Sequence, residues 1–403
     1  MPASSSNLKP ARTQFVDQPS QLAKAAARLA KQDVIAFDTE FMREKTFYPQ
    51  LSLIQVADRE QSWVVDPLAL SHEEMQPLLD VFSSPDTLKV AHAVEQDQEC
   101  IHRAYGIVVE PVLDTAIAAA LTGRGDQIGL SPLLSRLLGV NLSKGHSRTN
   151  WMKRPLPQPM IEYAADDVVY LVEAAEKLSK DLRALKRVEW VMSLSAQFGD
   201  ATRAEFDISA LTRKIAASSR LGASSYAVLK ELVLWREQHA RQKDIPRRWL
   251  ADDQVLAKLA VARPKEVDDL QNFRGLGPKL RQYGAEPILD AIRRGESVPP
   301  EDLEEPPRKD EPSANEAAAL TVLKCFLTSL AAENKVPLRF LVENGAMLGL
   351  LREDFATIEE LRASGLLDSG TIAMFGEELV AILNGQRALG IVGGRAKRLD
   401  IAG

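Results

Sequence analysis

The chain has 403 residues, which is too long for one hydrophobic core of ordinary size and predicts two or three domains of about 150 residues each. Hydrophobic residues make up 45% of it and charged residues 26%, as is typical of globular proteins, and no unbroken apolar stretch is long enough to span a bilayer. The N-terminal residues contain no apolar core of a secretory signal, and the two cysteines, Cys100 and Cys325, exclude a disulfide framework and a cysteine metal site. We therefore expect a cytoplasmic protein with no membrane partner.

Strand-like and helix-like segments alternate over the first part of the chain, which predicts an α/β domain with a mixed sheet. In chain order, the predicted strands are "DVIAFDTEF" (33–41), "LSLIQVAD" (51–58) and "QSWVVDP" (61–67), and the helix "EEMQPLLDVFSS" (73–84) follows them. A further strand, "TLKVAHA" (87–93), precedes the helix "EQDQECIHRAYG" (95–106), which we expect to end at Gly106. From about Met160 onward the spacing of apolar residues predicts helices almost throughout.

The first of these strands ends in two carboxylates. Four apolar residues, 34–37, lead directly into Asp38 and Glu40, and a strand alternates its faces, so both acids should point the same way. Two like charges beside a buried strand repel each other and lose hydration. A pair of this kind is usually capped or exposed to solvent, so a functional interpretation needs further acids from elsewhere in the chain.

Two other segments supply such acids. Asp97 lies five residues beyond His92, close to the start of a helix, where Glu95 and Glu99 are equally suited to complement the helix dipole and where His92 is equally suited to the core. In "EYAADDVVYL", Tyr163 shares one helix face with both Asp166 and Asp167, at spacings of three and four residues. The solvated edge of an amphipathic helix would explain these acids, but it would not explain the tyrosine beside them.

A basic segment precedes this helix. No Asp or Glu occurs between Gln127 and Ile161, whereas five Lys and Arg residues do: Arg136, Lys144, Arg148, Lys153 and Arg154. A solvated loop is the common explanation for such a run, and a phosphate-binding segment is the functional alternative. The overall net charge of −6 argues against nucleic acid as a partner, but only the local charge bears on a binding site.

The helical part of the chain contains an apparent duplication. The segment 298–316 holds five prolines and many acids, so it predicts a linker. On its two sides, Val228-Leu229-Lys230 matches Val322-Leu323-Lys324, and the elements "IPRRWL" (245–250) and "VPLRFL" (336–341) match in the same order. A repeated small helical domain explains this agreement better than chance similarity between amphipathic helices. A chain ending near Val298 would stop at this linker and keep the first repeat whole.

Taken together, "FDTEF", the H-x-x-x-x-D of His92 to Asp97 and the Y-x-x-x-D of Tyr163 to Asp167 resemble, in order and spacing, the three motifs of DEDDy-type 3′→5′ exonucleases. The flanking "YPQLSLIQVA" (48–57) and "SRTNWMKRPL" (147–156) resemble the ribonuclease D family in particular. The resemblance implies an α/β nuclease domain over residues 14–205, with a ribonuclease H-like mixed sheet flanked by helices. It further implies two small all-α domains, an HRDC (helicase-and-ribonuclease-D C-terminal) domain at 212–297 and a divergent second copy at 317–390.

The resemblance assigns catalytic roles to five residues, Asp38, Glu40, Asp97, Tyr163 and Asp167, of which the four acids would be the metal ligands. Two Mg²⁺ ions, or Mn²⁺, prefer such oxygen ligands, and their charge would allow four carboxylates to crowd together. Asp166 falls one residue short of the family spacing, although helix geometry alone does not exclude it. Tyr163, with an ordinary pKa of about 10, would orient the attacking water rather than act as a strong base.

Positions next to these motifs suggest which residues bind the substrate. Lys144, Arg148 and Arg154 would hold phosphates, and Trp151 would stack on a base or, with equal weight, anchor the core. Phe41, Met42 and His92 would line a pocket for the terminal nucleotide. The implied activity is a metal-dependent 3′→5′ exoribonuclease that releases 5′-nucleoside monophosphates from tRNA precursors and structured RNA, acting as a monomer. The alternatives are a DNA exonuclease of the same superfamily and a non-catalytic RNA-binding protein.

Overall fold

The computed structural model describes residues 12–142, 149–203, 207–219, 221–271, 273–276, 284–306, 311–343 and 345–401. The chain divides into two compact units. The first comprises Met1–Phe41, Leu51–Arg203 and Pro312–Gly403, and the second comprises Met42–Gln50 and Ala204–Glu311. Among the described residues, no helix combines the length and the apolar character needed to cross a membrane.

A six-stranded mixed sheet organises the first unit, with the strand order β1-β4-β3-β2-β5-β6. β1 pairs in parallel with β4, β5 pairs in parallel with both β2 and β6, and β3 runs antiparallel to β4. The strands are β1 (Arg12–Val16), β2 (Val34–Met42), β3 (Gln50–Ala57), β4 (Gln61–Val65), β5 (Leu88–Ala91) and β6 (Val112–Asp114). The associated helices are α1 (Pro19–Leu29), α2 (His72–Ser83), α3 (Glu95–Tyr105), α4 (Thr115–Leu121), α5 (Leu130–Leu138), α6 (Gln158–Val169), α7 (Leu171–Ala184) and α8 (Val188–Arg203).

Alternation along β2 divides its side chains between two hydrophobic clusters. Ile35 and Phe37 are buried with residues of α1, α2 and α3, and the Phe37 ring lies 5.4 Å from that of Phe82. Ala36 instead belongs to the cluster that includes Ile117 of α4 and Leu171 of α7. The even-numbered residues of β2 therefore face α4 and α7, and Asp38 and Glu40 continue this face.

The structure confirms the six elements predicted between residues 33 and 106, including the end of α3 at Gly106, which has φ 74°. Five other elements that precede α6 in the sheet domain are additional to that prediction: β1, α1, β6, α4 and α5. The expectation of helices almost throughout after Met160 is wrong at the C-terminal end. Residues Arg387–Val392 (β7) and Arg395–Asp400 (β8) form an antiparallel hairpin, because Gly393 and Gly394 adopt the positive φ values that a two-residue hairpin turn requires.

The second unit is helical. It contains α9 (Ile208–Ala217), α10 (Ala223–Gln242), α11 (Arg247–Leu250), α12 (Asp253–Ala262), α13 (Val267–Gln271) and α14 (Glu286–Glu296), followed by a 3-10 turn at Pro300–Asp302. A core of apolar side chains that includes Leu229, Leu232 and Leu256 joins these helices. The connection between β2 and β3 belongs to this unit: the backbone N–H groups of Phe47 and Tyr48 donate to Asp244 at 3.0 and 3.1 Å.

The last segment repeats the order of helices seen in α10 to α14. It contains α15 (Ala314–Asn334), α16 (Leu338–Leu341), α17 (Ala346–Arg352), α18 (Ile358–Ala363) and α19 (Ser369–Leu383). In both segments a long helix precedes a four-residue helix whose N-cap is a proline, Pro246 or Pro337. This common order is the observation that supports a duplicated domain.

This last segment packs directly on the sheet domain within the first unit. The Phe375 ring of α19 meets the edge of the Trp190 ring of α8 at 5.8 Å, and one hydrophobic cluster includes Val90 of the sheet, Trp190 and Phe375. The Arg187 guanidinium donates to the carbonyl oxygens of Leu121 (2.6 Å) and Asn334 (3.0 Å). A chain ending near Val298 would lose these contacts with the sheet domain.

Candidate active site

The candidate site lies on the α4 and α7 side of β2. Asp38 and Glu40 point to this side, and the residue between them, Thr39, is only 6% exposed. The pKa values of Asp38 and Glu40 are raised, mainly because both carboxyl groups are buried. The negative charges of neighbouring carboxylates raise them further. The pKa of Glu40 rises to about 8. For both acids, the charged neighbours that shift the pKa are other carboxylates of the motifs, Asp97 and Asp167.

Asp97 comes from the first turn of α3 and is 5% exposed. One of its oxygens, Oδ1, accepts hydrogen bonds from the backbone N–H of Thr39 (3.1 Å) and from the Thr39 hydroxyl. These bonds connect α3 to β2 at the position between Asp38 and Glu40. Burial nevertheless raises the pKa of Asp97 to about 7.

Asp114, which belongs to none of the three sequence motifs, supports the turn that leads into α3. It is 1% exposed, and its carboxylate accepts hydrogen bonds from the N–H groups of Ala93 and Val94, both at 3.0 Å, and of Ala116 at 2.7 Å. Ala93 has φ 60°, a backbone conformation that is unfavourable for L-residues, and the hydrogen bonds to Asp114 stabilise it. The sequence contains one signal for Asp114: it is an aspartate between a strand and a helix, and it is the N-cap residue of α4.

The helix α6 contributes Tyr163 and Asp167. Burial, and then the charge of Asp166, raise the pKa of Asp167 to about 7. Asp167, and not Asp166, is among the charges that act on Asp38 and Glu40. The structure therefore brings together Asp38, Glu40, Asp97 and Asp167, and it distinguishes the two adjacent aspartates that helix spacing left open.

Tyr163 lies beside these acids. Burial raises the pKa of its phenol, and the negative charges of Asp167, Glu40 and Asp38 raise it further. The phenol therefore stays protonated at neutral pH, so that it can donate a hydrogen bond. On one side its ring stacks with that of Trp151, with 6.2 Å between ring centroids and 28° between ring planes.

Trp151 is 2% exposed. An indole ring so completely enclosed leaves no face on which a base can stack, so the structure favours the core alternative for this residue. Its carbonyl oxygen accepts hydrogen bonds from the Ser52 hydroxyl (2.5 Å) and from the Arg154 guanidinium (2.6 Å).

Arg154 has internal partners in place of the predicted phosphate. Its guanidinium forms a bidentate pair with the buried Asp66, at 2.5 and 2.8 Å, and donates to the carbonyl oxygen of Ser52 at 2.9 Å. A guanidinium has five N–H donors, and these bonds engage all three of its nitrogens within the protein. The observed partners of Arg154 are therefore structural ones, and the phosphate contact predicted for it stays a prediction.

The remaining predicted substrate residues occupy varied positions. The ring nitrogens of His92 lie 2.9 Å from the Thr115 hydroxyl and 3.0 Å from the Ile128 carbonyl oxygen, so His92 is held within the domain. Phe41 packs against the hydrophobic cluster beneath the opposite face of the sheet, and Met42 is the half-buried last residue of β2. Lys144 and Arg148 lie outside the described residues. Substrate binding by Phe41, Met42, His92, Lys144 and Arg148 stays a prediction.

The four acids match the ligand preferences of a hard divalent cation. They offer only carboxylate oxygens, they come from three separate segments, and two of them have other acids as their charged neighbours. Within the described part of the chain, no three His, Cys, Asp or Glu side chains already stand in the arrangement of a completed metal site. The four acids fit a hard divalent cation by the chemistry of their oxygen donors.

Comparisons with known proteins agree with this geometry. A family model described as a 3′→5′ exonuclease matches residues 13–183, and one described as an HRDC domain matches residues 225–292. Ribonuclease D of Sphingobium indicum is 33% identical over 382 residues, covering 93% of this chain and 96% of that protein. The chain belongs to the ribonuclease D family.

Other ribonuclease D proteins extend the agreement over nearly the whole chain. That of Nitrobacter hamburgensis is 32% identical over 94% of this chain and 98% of its own. The crystal structure of Escherichia coli ribonuclease D matches with a TM-score of 0.81 at 26% identity, covering 93% of this chain and 99% of that one. This chain is accordingly an exoribonuclease with the expected fold, a mixed-sheet exonuclease domain followed by a helical HRDC domain.

Proposed function

We propose that this ribonuclease D family member removes nucleotides one at a time from the 3′ ends of tRNA precursors and other structured RNAs, and that it requires divalent metal ions. The observation that carries the proposal is the gathering of Asp38, Glu40, Asp97 and Asp167 at one place, with Tyr163 beside them. The similar ribonuclease D of E. coli is an exoribonuclease involved in structured RNA processing, which supports this choice of substrate.

In this proposal the four carboxylates would hold divalent cations, two Mg²⁺ or Mn²⁺, whose chemistry when bound is to acidify a water and to offset the charge of the phosphodiester. The chain itself contributes the positions of these acids. Asp97 is fixed by Thr39, and Asp167 lies one helical turn beyond Tyr163, which sets the tyrosine over the same site.

Tyr163 would orient the attacking water through its protonated phenol, because the raised pKa excludes a phenolate at neutral pH. Water attacks the last phosphodiester, and the bond between phosphorus and the 3′ oxygen of the preceding nucleotide breaks. The phosphate stays on the 5′ carbon of the released nucleotide. The products are therefore a 5′-nucleoside monophosphate and an RNA shortened by one residue with a free 3′ hydroxyl.

The helical domains would bind the body of the RNA while its 3′ end enters the nuclease domain. The HRDC match at 225–292 supports this role for the second unit, and the repeated helix order supports a second HRDC-like domain within 317–390. The domain limits predicted from the sequence, a cytoplasmic location and a monomeric state stay predictions.

The test is digestion of a tRNA precursor that carries a short 3′ trailer. With Mg²⁺, a 3′-terminal label should appear first as a mononucleotide, and a 5′ label should give a ladder that shortens by single residues. Asp38→Asn and added chelator should each abolish both patterns. Faster digestion of a DNA oligonucleotide of matched sequence would favour the DNA exonuclease alternative, and RNA binding without cleavage would favour the non-catalytic one.

A further inference from the structure

Trp151 and Arg154 lie in the basic segment that precedes α6, and the proposed chemistry uses neither side chain directly. Both are nevertheless held by contacts to distant parts of the nuclease domain. Asp66, at the end of β4, binds the Arg154 guanidinium with both oxygens, and Ser52 of β3 bonds to the Trp151 carbonyl and to Arg154. We call Ser52, Asp66, Trp151 and Arg154 the Arg154 network.

The network fixes the backbone of Trp151 in two ways. Its carbonyl oxygen accepts one hydrogen bond from the Ser52 hydroxyl and one from Arg154. Charged bidentate hydrogen bonds are the stronger and more directional kind. The Asp66 side chain is 5% exposed and that of Arg154 is 25% exposed, so solvent reaches only one side of this pair. The indole ring is thereby presented at a fixed place, and the ring it meets there is that of Tyr163.

Tyr163 lies beside the acid cluster. Its phenol is close enough to Asp167, Glu40 and Asp38 for their negative charges to raise its pKa. The Trp151 ring stacks on the tyrosine ring at a centroid distance within the range of favourable aromatic pairs. A misplacement of a reacting group by about 1 Å can reduce a rate by about 100-fold, so a rigid backing for the phenol affects turnover directly.

We propose that Trp151 is a positioning residue for Tyr163, and that the Arg154 network holds Trp151 in place for this purpose. The inference rests on the proposed role of Tyr163 in hydrolysis. It assigns Trp151 and Arg154 of the basic segment to the support of the chemical step.

The test is a double-mutant cycle on the full-length protein, with kcat and KM measured on a short single-stranded RNA. Trp151→Leu should lower kcat about tenfold and leave KM within about twofold. In a Tyr163→Phe background the same substitution should change kcat by less than about twofold, because the hydroxyl that it misplaces is already absent. An undiminished tenfold loss in that background would overturn the proposal, and so would a loss expressed mainly in KM.

Two further variants separate positioning from folding. Trp63 is also 2% exposed, but it lies in β4. Trp63→Leu should therefore lower the melting temperature. Its effect on kcat should be the same with and without the Tyr163 hydroxyl, as expected of independent substitutions. If Trp151→Leu fails to fold, Arg154→Lys replaces it in the cycle, since lysine keeps the charge and loses the bidentate geometry. Arg154→Lys should show the same dependence on the Tyr163 hydroxyl, and independence from it would overturn the proposal.

The ring pairing is also measurable without substrate. Tyr163→Phe should alter the near-ultraviolet circular dichroism of the otherwise unchanged protein, and it should leave the spectrum of the Trp151→Leu variant nearly unaltered. Equal spectral changes in both proteins would overturn the pairing. Inactivity of the unsubstituted protein on RNA, with the spectral dependence intact, would instead refute the proposed function and leave the pairing standing.

Discussion

Removal of residues 312–403 should destabilise the nuclease domain itself. An indole ring such as that of Trp190 buries about 150–250 Å². If the last segment covers about half of it, truncation exposes about 100 Å², which at about 25 cal/mol per Å² amounts to ~2–3 kcal/mol. Arg187 also loses its bond to the Asn334 carbonyl, and a hydrogen bond to a charged group contributes ~1.5–3 kcal/mol. These two sites together approach the lower end of a typical stability of ~5–15 kcal/mol.

The assay is urea unfolding followed by circular dichroism, on the full-length protein and on a chain ending at Glu311. The shortened chain should unfold at clearly lower urea or aggregate, and it should lose activity on short and structured RNA alike. In the full-length protein, Phe375→Ala should cost ~3–5 kcal/mol, because it opens a cavity against Trp190. A shortened chain whose nuclease domain unfolds at the same urea concentration as in the full-length protein would refute this reasoning.

The other predictions concern the acid cluster. Asp38→Asn should reduce kcat by more than the about 10- to 100-fold loss that is typical when a residue supporting a metal ligand is replaced. The melting temperature should stay unchanged or rise. Near-normal cleavage would exclude a catalytic role for Asp38. Asp167→Asn should reduce the cleavage rate as much as Asp38→Asn, and Asp166→Asn should reduce it less, as measured by single-turnover digestion of labelled RNA. The reverse ranking would assign the catalytic role to Asp166 instead of Asp167. Tyr163→Phe should lower kcat by about tenfold to 100-fold with little change in RNA affinity, measured by filter binding. Without metal, stability should fall as pH rises from about 4, where the acids ionise in the unfolded chain, to about 8, where Glu40 ionises in the folded one. Mg²⁺ should therefore raise the melting temperature more at about pH 8 than at about pH 5, and an equal rise at both would count against the raised pKa values.

The sequence predicted those parts of the site that depend on local periodicity. Strand alternation placed Asp38 and Glu40 on one face, and the motif spacing located Asp97 at the start of α3. Helix spacing did not separate Asp166 from Asp167, because residues three and four positions from Tyr163 share its face and only the packing of α6 decides which one faces β2. That packing is a tertiary property and has no local signal.

Contacts between distant residues could not be predicted from the composition of the basic segment. A run of positive charge does not reveal which members have partners, and the partner of Arg154 lies 88 residues earlier, in Asp66. The composition of the linker likewise did not predict how the segment after it packs. Its composition correctly predicts the absence of a core within it, but it says nothing about the apolar faces beyond it, and those of α15 and α19 are buried against the sheet domain.

The site combines repulsion among its acids with strong support for each of the elements that carry them. Asp38, Glu40 and Asp167 repel one another, and burial makes every charge less favourable. The chain does not relieve this repulsion by moving the acids apart, because Thr39 fixes Asp97, Asp114 fixes the turn before α3, and the Arg154 network fixes the approach to α6. A divalent cation that binds such a site gains the attraction of several carboxylates without the cost of assembling them, so the same rigidity that destabilises the metal-free protein would increase its affinity for the metal.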